Sequence, residues 1–344
     1  MKKKLFTCLT SVVVASSLLL VGCGSSETNN AESSTGGDKK VIKVANFFAD
    51  DHPQNIALRE KFKPMIEEGS NGSLEVQIYS NNQLGAEQEF YDGVRNGSIE
   101  MGISGMAMQS SIEKIAATEW PYLYEDYEHV KKVLNGPIGD ELTEDLESLH
   151  GIKGLAWSAN GFRMFSSNKT LSSIEDFNGL RLRMPNIPNY IDIGHRLGAI
   201  VSPLAMSEVF TGLEQKVIDG QENPIATLRA SGWYEVQTDV LESYHMFSPN
   251  LYIINLNFWN GLTVEQQELV QEASTVAAAY EFDLMEKSYA DDKAFLEEKG
   301  IIFTTPDPAF RQAMIDAVEP MYDEFSKQYD WAADLVERIR AEAN

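Results

Sequence analysis

The chain has 344 residues, with 52 acidic against 28 basic side chains and a formal net charge of −24. A surface this acidic repels nucleic acid and anionic headgroups, so no nucleic-acid partner is expected, although a local set of donors can still hold a small anion. Of the two cysteines, Cys8 and Cys23, neither lies beyond residue 23, which excludes a disulfide framework, a Cys-based metal site and a Cys nucleophile from the body of the protein.

The chain starts "MKKKLFTCLTSVVVASSLLLVGCGSS": three lysines, an uncharged apolar run from Leu5 to Val21, then small polar residues. This is the layout of a secretory signal, and its end, "LVGC", resembles a bacterial lipoprotein signal. Residues 1–22 would then be removed, and Cys23 would become the lipid-carrying N-terminus. The alternative is a transmembrane anchor, for which the run is about long enough, but Thr and Ser interrupt it. Residues 23–40 read as a flexible tether. Their Gly/Ser/Asn/Thr-rich stretch of 17 residues reaches about 20–25 Å as a coil. The expected location is the outer face of a bacterial membrane, in the periplasm or at the cell surface.

From residue 41 the hydrophobic pattern predicts a strand at "VIKVANFF" (41–48). A helix over 50–72 follows, with Asp51 as cap and Pro64 bending or shortening it. "SLEVQIYS" (73–80) alternates as a strand, "AEQEFYDGVRNGS" (86–98) is a helix stopped near Gly97, and "IEMGISG" (99–105) is a strand. This β-α-β-α-β order implies a parallel sheet flanked by helices.

The second half repeats that pattern. Strands at 151–160 and 161–168 meet near a glycine, "SIEDFNG" (173–179) is a capped helical turn, and "LRLRMP" (180–185) is a strand. A helix (189–199), a short extended "VSPL" and a helix over 207–220 with Ser207 as cap come next. "VIDGQENPIA" (217–226) reads as a turn that presents an amide, and 245–262 as a long extended stretch. Residues 263–300 then run nearly 40 positions without Pro, with a capped start at Thr263. Leu269, Val270, Ala273, Val276, Ala277, Tyr280, Phe282 and Leu284 give a broad apolar face. At 1.5 Å per residue such a helix spans ~50 Å, enough to brace two domains. A coiled-coil segment is the alternative, but the apolar spacing is not a strict heptad.

No motif for zinc hydrolysis, a serine elbow, a phosphate loop or a dinucleotide fold occurs. No cofactor, metal or catalytic residue is therefore expected. The five histidines lack metal-ligand spacing. The arginines say more. There are ten, and Arg163, Arg181, Arg183 and Arg196 fall within 34 residues. A guanidinium matches a carboxylate bidentately and keeps its charge when desolvated. Arg181 and Arg183, two apart on one strand, point the same way. Either could instead pair with a surface acid, and periodicity does not separate them.

"NGFRMFSSNKTLSSIEDFNGLRLRMPN", followed by "SPLAMSEVFTGLEQKVIDGQENP" and "YEVQTDVLESYH", resembles the DctP-like substrate-binding proteins of tripartite ATP-independent periplasmic (TRAP) transporters, from about Val41 to the 330s. The resemblance implies an α/β, two-domain periplasmic-binding-protein-like fold with hinge strands and a long domain-spanning helix. Residues 41–160 plus 249–288 would form domain I, and 161–248 plus 289–344 domain II. It implies capture of an organic acid (a sugar acid, dicarboxylate or 2-oxo/hydroxy acid) between the domains, delivery to integral-membrane permease subunits, a monomer, and no enzymatic step. By position in the motifs, Arg183 is the principal carboxylate ligand, with Arg163, Asn223 and Asn186 beside it and Met206 against the rest of the ligand. Arg181 is left at the rim or paired with an acid. Phe47, His52 and Gly105 are the first-domain candidates, and Gly105, where sialic-acid binders carry an acid, argues against sialic acid. A ligand-sensing module of the same fold and a surface-anchored hydrolase are the alternatives.

Overall fold

The computed structural model describes residues 39–110 and 112–343. The signal segment, Cys23 and nearly all of the tether lie outside them. Among the described residues no helix is long and apolar enough to cross a membrane.

Nine strands build one sheet: β1 (Lys40–Ala45), β2 (Leu74–Tyr79), β3 (Met101–Ser104), β4 (Ile152–Ser167), β5 (Arg181–Met184), β6 (Ile200–Pro203), β7 (Gly220–Asn223), β8 (Asp239–Asn255) and β9 (Ile302–Thr304). Their order is β2-β1-β3-β8-β4-β7-β5-β6, with β9 beside β8. β1 pairs in parallel with β2 and β3, as the β-α-β-α-β pattern requires. β5 pairs in parallel with β6 and β7 at the other end. The long antiparallel pair β4–β8 joins the two ends. The fold is thus the expected α/β, two-domain arrangement joined by crossing strands.

The two predicted strands on either side of Gly161 are one strand, β4, bulged there. The register slips between Gly154 and Ala156, Ala159 and Gly161, and Arg163 and Phe165. Gly161 sits at φ +115°, and a Cβ there would lie 2.9 Å from Met285 Cε and 3.0 Å from Tyr127 Oη. Gly161→Ala is therefore expected to cost about 1–3 kcal/mol through backbone strain and overpacking, measurable as a lower urea midpoint with an unchanged slope.

Pro64 acts as expected, by a specific device. The helix Pro53–Ala57 passes through a π turn at Leu58–Phe62 before resuming as Lys63–Gly69. The wider turn gives room where a proline ring would meet the carbonyl four residues back.

Several predicted boundaries move. Asp51 is not the cap; with Pro53 at the first helical position, His52 Nδ1 accepts from the Gln54 amide at 3.1 Å. Ser207 is not a cap either. A 3-10 turn at Met206–Glu208 opens that helix, and Glu208 reaches back to the Ala205 amide. "GQEN" is a buried strand, β7, and not a turn, because it lies between β4 and β5. The extended stretch starts earlier, at Asp239, and its tail Leu256–Asn260 is helical.

The long helix is Val264–Glu298, 35 residues, with the expected capping box between Thr263 and Gln266. Its buried stripe is narrower than predicted. Val276 and Tyr280 face solvent, while Ala273, Ser274, Ala277 and Ala278 are buried. Small side chains let the helix lie close on β4, and Glu281 Oε2 accepts the Ala159 amide at 2.7 Å. Tyr280 bonds Glu60, and Asp292 pairs with Arg229, so the helix grips both ends of the sheet. The C-terminal helices do the same: Trp120 stacks on Phe325 at 4.1 Å, and Arg196 pairs with Glu324.

Candidate functional site

β5 is short because Gly179 precedes it at φ +76° and Pro185 follows it. Alternation sends Leu182 and Met184 into the core, and Arg181 and Arg183 the other way. The two arginines then part company. Arg181 is half exposed and closes a fork on Asp219, with Nε 2.8 Å from Oδ2 and Nη2 on Oδ1. This pairing, first through its hydrogen bonds, holds the Asp219 carboxyl below the usual range.

Arg183 is 3% exposed. Its Nε donates to the Leu204 carbonyl at 2.9 Å, and no carboxylate among the described residues lies within 4.0 Å of its guanidinium. Burial pulls its pKa down to about 10, against an upward pull from Glu222 and with a further downward push from Arg163. It stays cationic at neutral pH. A buried cation without a counter-charge is costly, and a bound carboxylate would supply what is missing.

Arg163 is fully buried but already engaged. Nε and Nη2 fork onto the Glu222 carboxylate, and Nη2 also reaches the Glu222 carbonyl at 2.8 Å. Burial alone would raise Glu222, yet Arg163 outweighs it and keeps the acid ionised. His245, stacked on Phe165, has its Nε2 3.5 Å from the same carboxylate, and burial holds this imidazole neutral. Of the Arg163 nitrogens, Nη1 is buried without a partner among the described residues. The Arg163 guanidinium lies 5.1 Å over the Tyr190 ring.

Asn223 closes β7 and is buried, with Nδ2 on Gln221 Oε1 at 2.7 Å. The parallel pairing of Leu182 with Gly220 puts Asn223 and Arg183 on one face. Asn186, just past β5, is exposed. Met206 is half-buried where the two apolar cores meet.

Of the first-domain candidates, Phe47 is buried against Phe48 at 4.2 Å. Gly105 has no room for a side chain. A Cβ would lie 2.7 Å from the Pro249 carbonyl and 3.0 Å from Asn250 Oδ1, and the Gly105 amide is bonded to Glu87. His52 stacks on Phe48, and burial lowers its pKa to about 3. The neutral ring places Nε2 3.4 Å from Thr227 Oγ1.

From His52 a line of polar side chains follows that the sequence reading missed. Thr227 donates to Asn160, Asn160 to Ser248, and Tyr190 to Ser248, each at 3.5 Å. Ser248 and Gln109 donate to the two Glu119 oxygens. Contacts of 3.5 Å are at the limit of hydrogen bonding, so these groups are gathered but poorly satisfied. Among the described residues, Gln109 Oε1 and Asn250 Nδ2 are buried with no partner. Their one sequence signal is polar residues inside otherwise apolar strands, as in "FSPNLYII".

A separate cleft of about 740 Å³ has walls that include Tyr124, Tyr127, Phe162, Tyr244 and Tyr289, with Glu125, Asp126, Glu128 and Glu286 also among its lining and one guanidinium, Arg311. None of the sequence-predicted site residues lines it. Its acidic lining would repel a carboxylate. Among the described residues no group of three or more His, Asp or Glu side chains is placed to hold a metal.

Residues 44–328 match the DctP family, described as bacterial extracellular solute-binding protein, family 7. A TRAP periplasmic solute binding protein from Haemophilus influenzae, solved with bound L-gulonate, superposes with a TM-score of 0.86 and 42% identity, covering 88% of this chain and 100% of that one. The 2,3-diketo-L-gulonate-binding periplasmic protein YiaO of Escherichia coli is 31% identical over 290 residues, 83% of this chain and 87% of its own. The C4-dicarboxylate-binding periplasmic protein DctP of Rhodobacter capsulatus is 28% identical over 304 residues, 88% and 90% of the two chains.

Proposed function

Because this chain belongs to the DctP family of bacterial extracellular solute-binding proteins, we propose that it captures one organic acid by its carboxylate on Arg183 and hands it to a TRAP permease. One observation carries this role. In a chain with 52 acids, Arg183 is buried with only a backbone carbonyl as partner among the described residues, while its strand neighbour Arg181 and the buried Arg163 are both forked onto acids.

Asn223 stands beside Arg183 on the same face, and Arg163 offers its remaining Nη1. The lobes that close over the ligand are residues 41–160 with 249–288, and 161–248 with 289–344. Ligand shifts the open–closed balance by its differential affinity for the two states, and no bond of the ligand is made or broken. The relatives that bind L-gulonate and 2,3-diketo-L-gulonate favour a sugar acid; the C4-dicarboxylate binder is the more distant. The signal ending in "LVGC" supports export of a monomer tethered by lipid on Cys23.

A thermal-shift screen over sugar acids, dicarboxylates and 2-oxo acids tests the role, since a ligand that binds the folded state raises its melting temperature by mass action. The best hit should be recovered chemically unchanged after incubation; turnover would sink the proposal.

A further inference from the structure

Resting on the capture role proposed above, we infer that Glu119 reads the end of the ligand remote from Arg183. Its carboxylate accepts a hydroxyl there and turns away a second carboxylate, which makes the ligand a polyhydroxylated monocarboxylate.

Glu119 closes a 3-10 turn, Ala117–Glu119, and Trp120 and Pro121 follow. That turn holds it 1% exposed. The buried acids Glu222, Glu242 and Asp292 each have a Lys or Arg partner. Glu119 has none among the described residues; its partners are the neutral Ser248 and Gln109. Glu281 and Asp239 are likewise without a cation, but Glu281 is spent on the β4 backbone beneath the long helix and Asp239 on the Thr170 and Thr238 hydroxyls. Glu119 instead adjoins the arginine cluster, because Tyr190 places its ring under Arg163 and its hydroxyl on Ser248.

Among the described residues, the buried polar atoms without partners around this wall include Gln109 Oε1, Asn250 Nδ2, Arg163 Nη1 and the Tyr124 hydroxyl. They are one acceptor, two donors and a group that is both. Hydroxyls serve both kinds, since each donates once and accepts twice. A second carboxylate serves donors only. It would lie beside Glu119, and the nearest cation, Arg163, is already neutralised by Glu222. A site built to bond a hydroxyl also rejects an analogue lacking it, by orders of magnitude, because its buried groups are left unpaired.

Gulonate, glucarate and hexanoate separate these terms. Glucarate keeps the four internal hydroxyls but has a carboxylate in place of the terminal one, and hexanoate has no hydroxyl. Calorimetric titration of the purified full chain at pH 8, where Glu119 is ionised, should show gulonate binding at least 100-fold tighter than either. Glu119→Gln should weaken gulonate at least tenfold and narrow the gulonate-to-glucarate ratio at least tenfold.

Melting at pH 8 without ligand checks that the variant is folded. Burial raises the Glu119 pKa to about 7, with Arg163 and the Ser248 and Tyr190 hydroxyls opposing this and Glu87 adding to it; Tyr124 also faces the acid. The folded protein therefore holds this proton more tightly than the unfolded chain, and stability falls as pH rises from about 4.5 to about 7. The neutral glutamine should thus melt no lower than wild type at pH 8. A folded Glu119→Gln protein with an unchanged ratio overturns the inference. So does a wild-type preference for glucarate or hexanoate, a measurement that needs no variant. If that preferred acid still depends on Arg183, the capture role survives alone; if none of the panel binds, both fall.

Discussion

Arg183→Ala is expected to abolish the ligand-dependent rise in melting temperature, and Arg181→Ala to leave it nearly intact. Truncating one partner of a buried, hydrogen-bonded charge pair costs about 2–5 kcal/mol, a loss of roughly 30- to several-thousand-fold in affinity. Arg183→Lys should recover only part of this. It restores the charge without the planar fork that grips two carboxylate oxygens. The unliganded Arg183→Ala protein should melt at or above the wild-type temperature, because the change removes a buried cation without a counter-ion. Arg181→Ala breaks only a half-exposed pair with Asp219, of the kind that contributes little to stability. Greater damage to binding from Arg181→Ala would exchange the roles of the two residues.

Glu222→Ala carries the second large effect, and it falls on stability. It strands the Arg163 guanidinium at 0% exposure. Breaking a buried pair from one side costs about 3–5 kcal/mol, and the melting temperature should fall by roughly 10 °C. Replacing both residues together with apolar side chains, Arg163→Met and Glu222→Leu, should restore much of the loss, since neither charge is left alone. Thermal melts of the two singles and the double, without ligand, give the coupling directly. A double variant that is stable but has weakened ligand binding would identify Arg163 Nη1 as a ligand donor. A stable double variant with full affinity would confine Arg163 to holding β4 on β7.

The sequence pattern is most informative where local rules and packing agree. The capping box at Thr263 and the uninterrupted helix after it are legible because no neighbour has to override them. β2 is legible because buried and half-buried positions alternate along it, and β1 and β3 because they are short runs dominated by apolar and small residues. "GQEN" is not, since a glycine and three polar residues form a strand only when β4 and β5 lie on either side, and that pairing is non-local. The arginines follow the same division. Periodicity places Arg181 and Arg183 on one face, and family motifs choose between them. Only the fold reveals that Asp219, 38 residues on, has claimed the first and left the second. The wall of Gln109, Glu119, Asn160, Ser248 and Asn250 was illegible because its members come from four separate segments, none of which has a motif.

The crossing strands β4 and β8 keep their hydrogen-bonded ladder across both halves of the molecule, broken in register at three places within a dozen residues. Two bodies joined this way cannot swing like doors on a loose linker. They flex like the ends of a leaf spring, with the compliance concentrated where the ladder slips. Such a spring returns to its resting shape without first reforming a broken sheet, so it can cycle indefinitely. Its stiffness sets how much of the ligand's grip is spent on bending rather than on holding. A substitution at a bulge such as Gly161, which bears no side chain to offer a ligand, is therefore expected to retune affinity through the stiffness of the ladder.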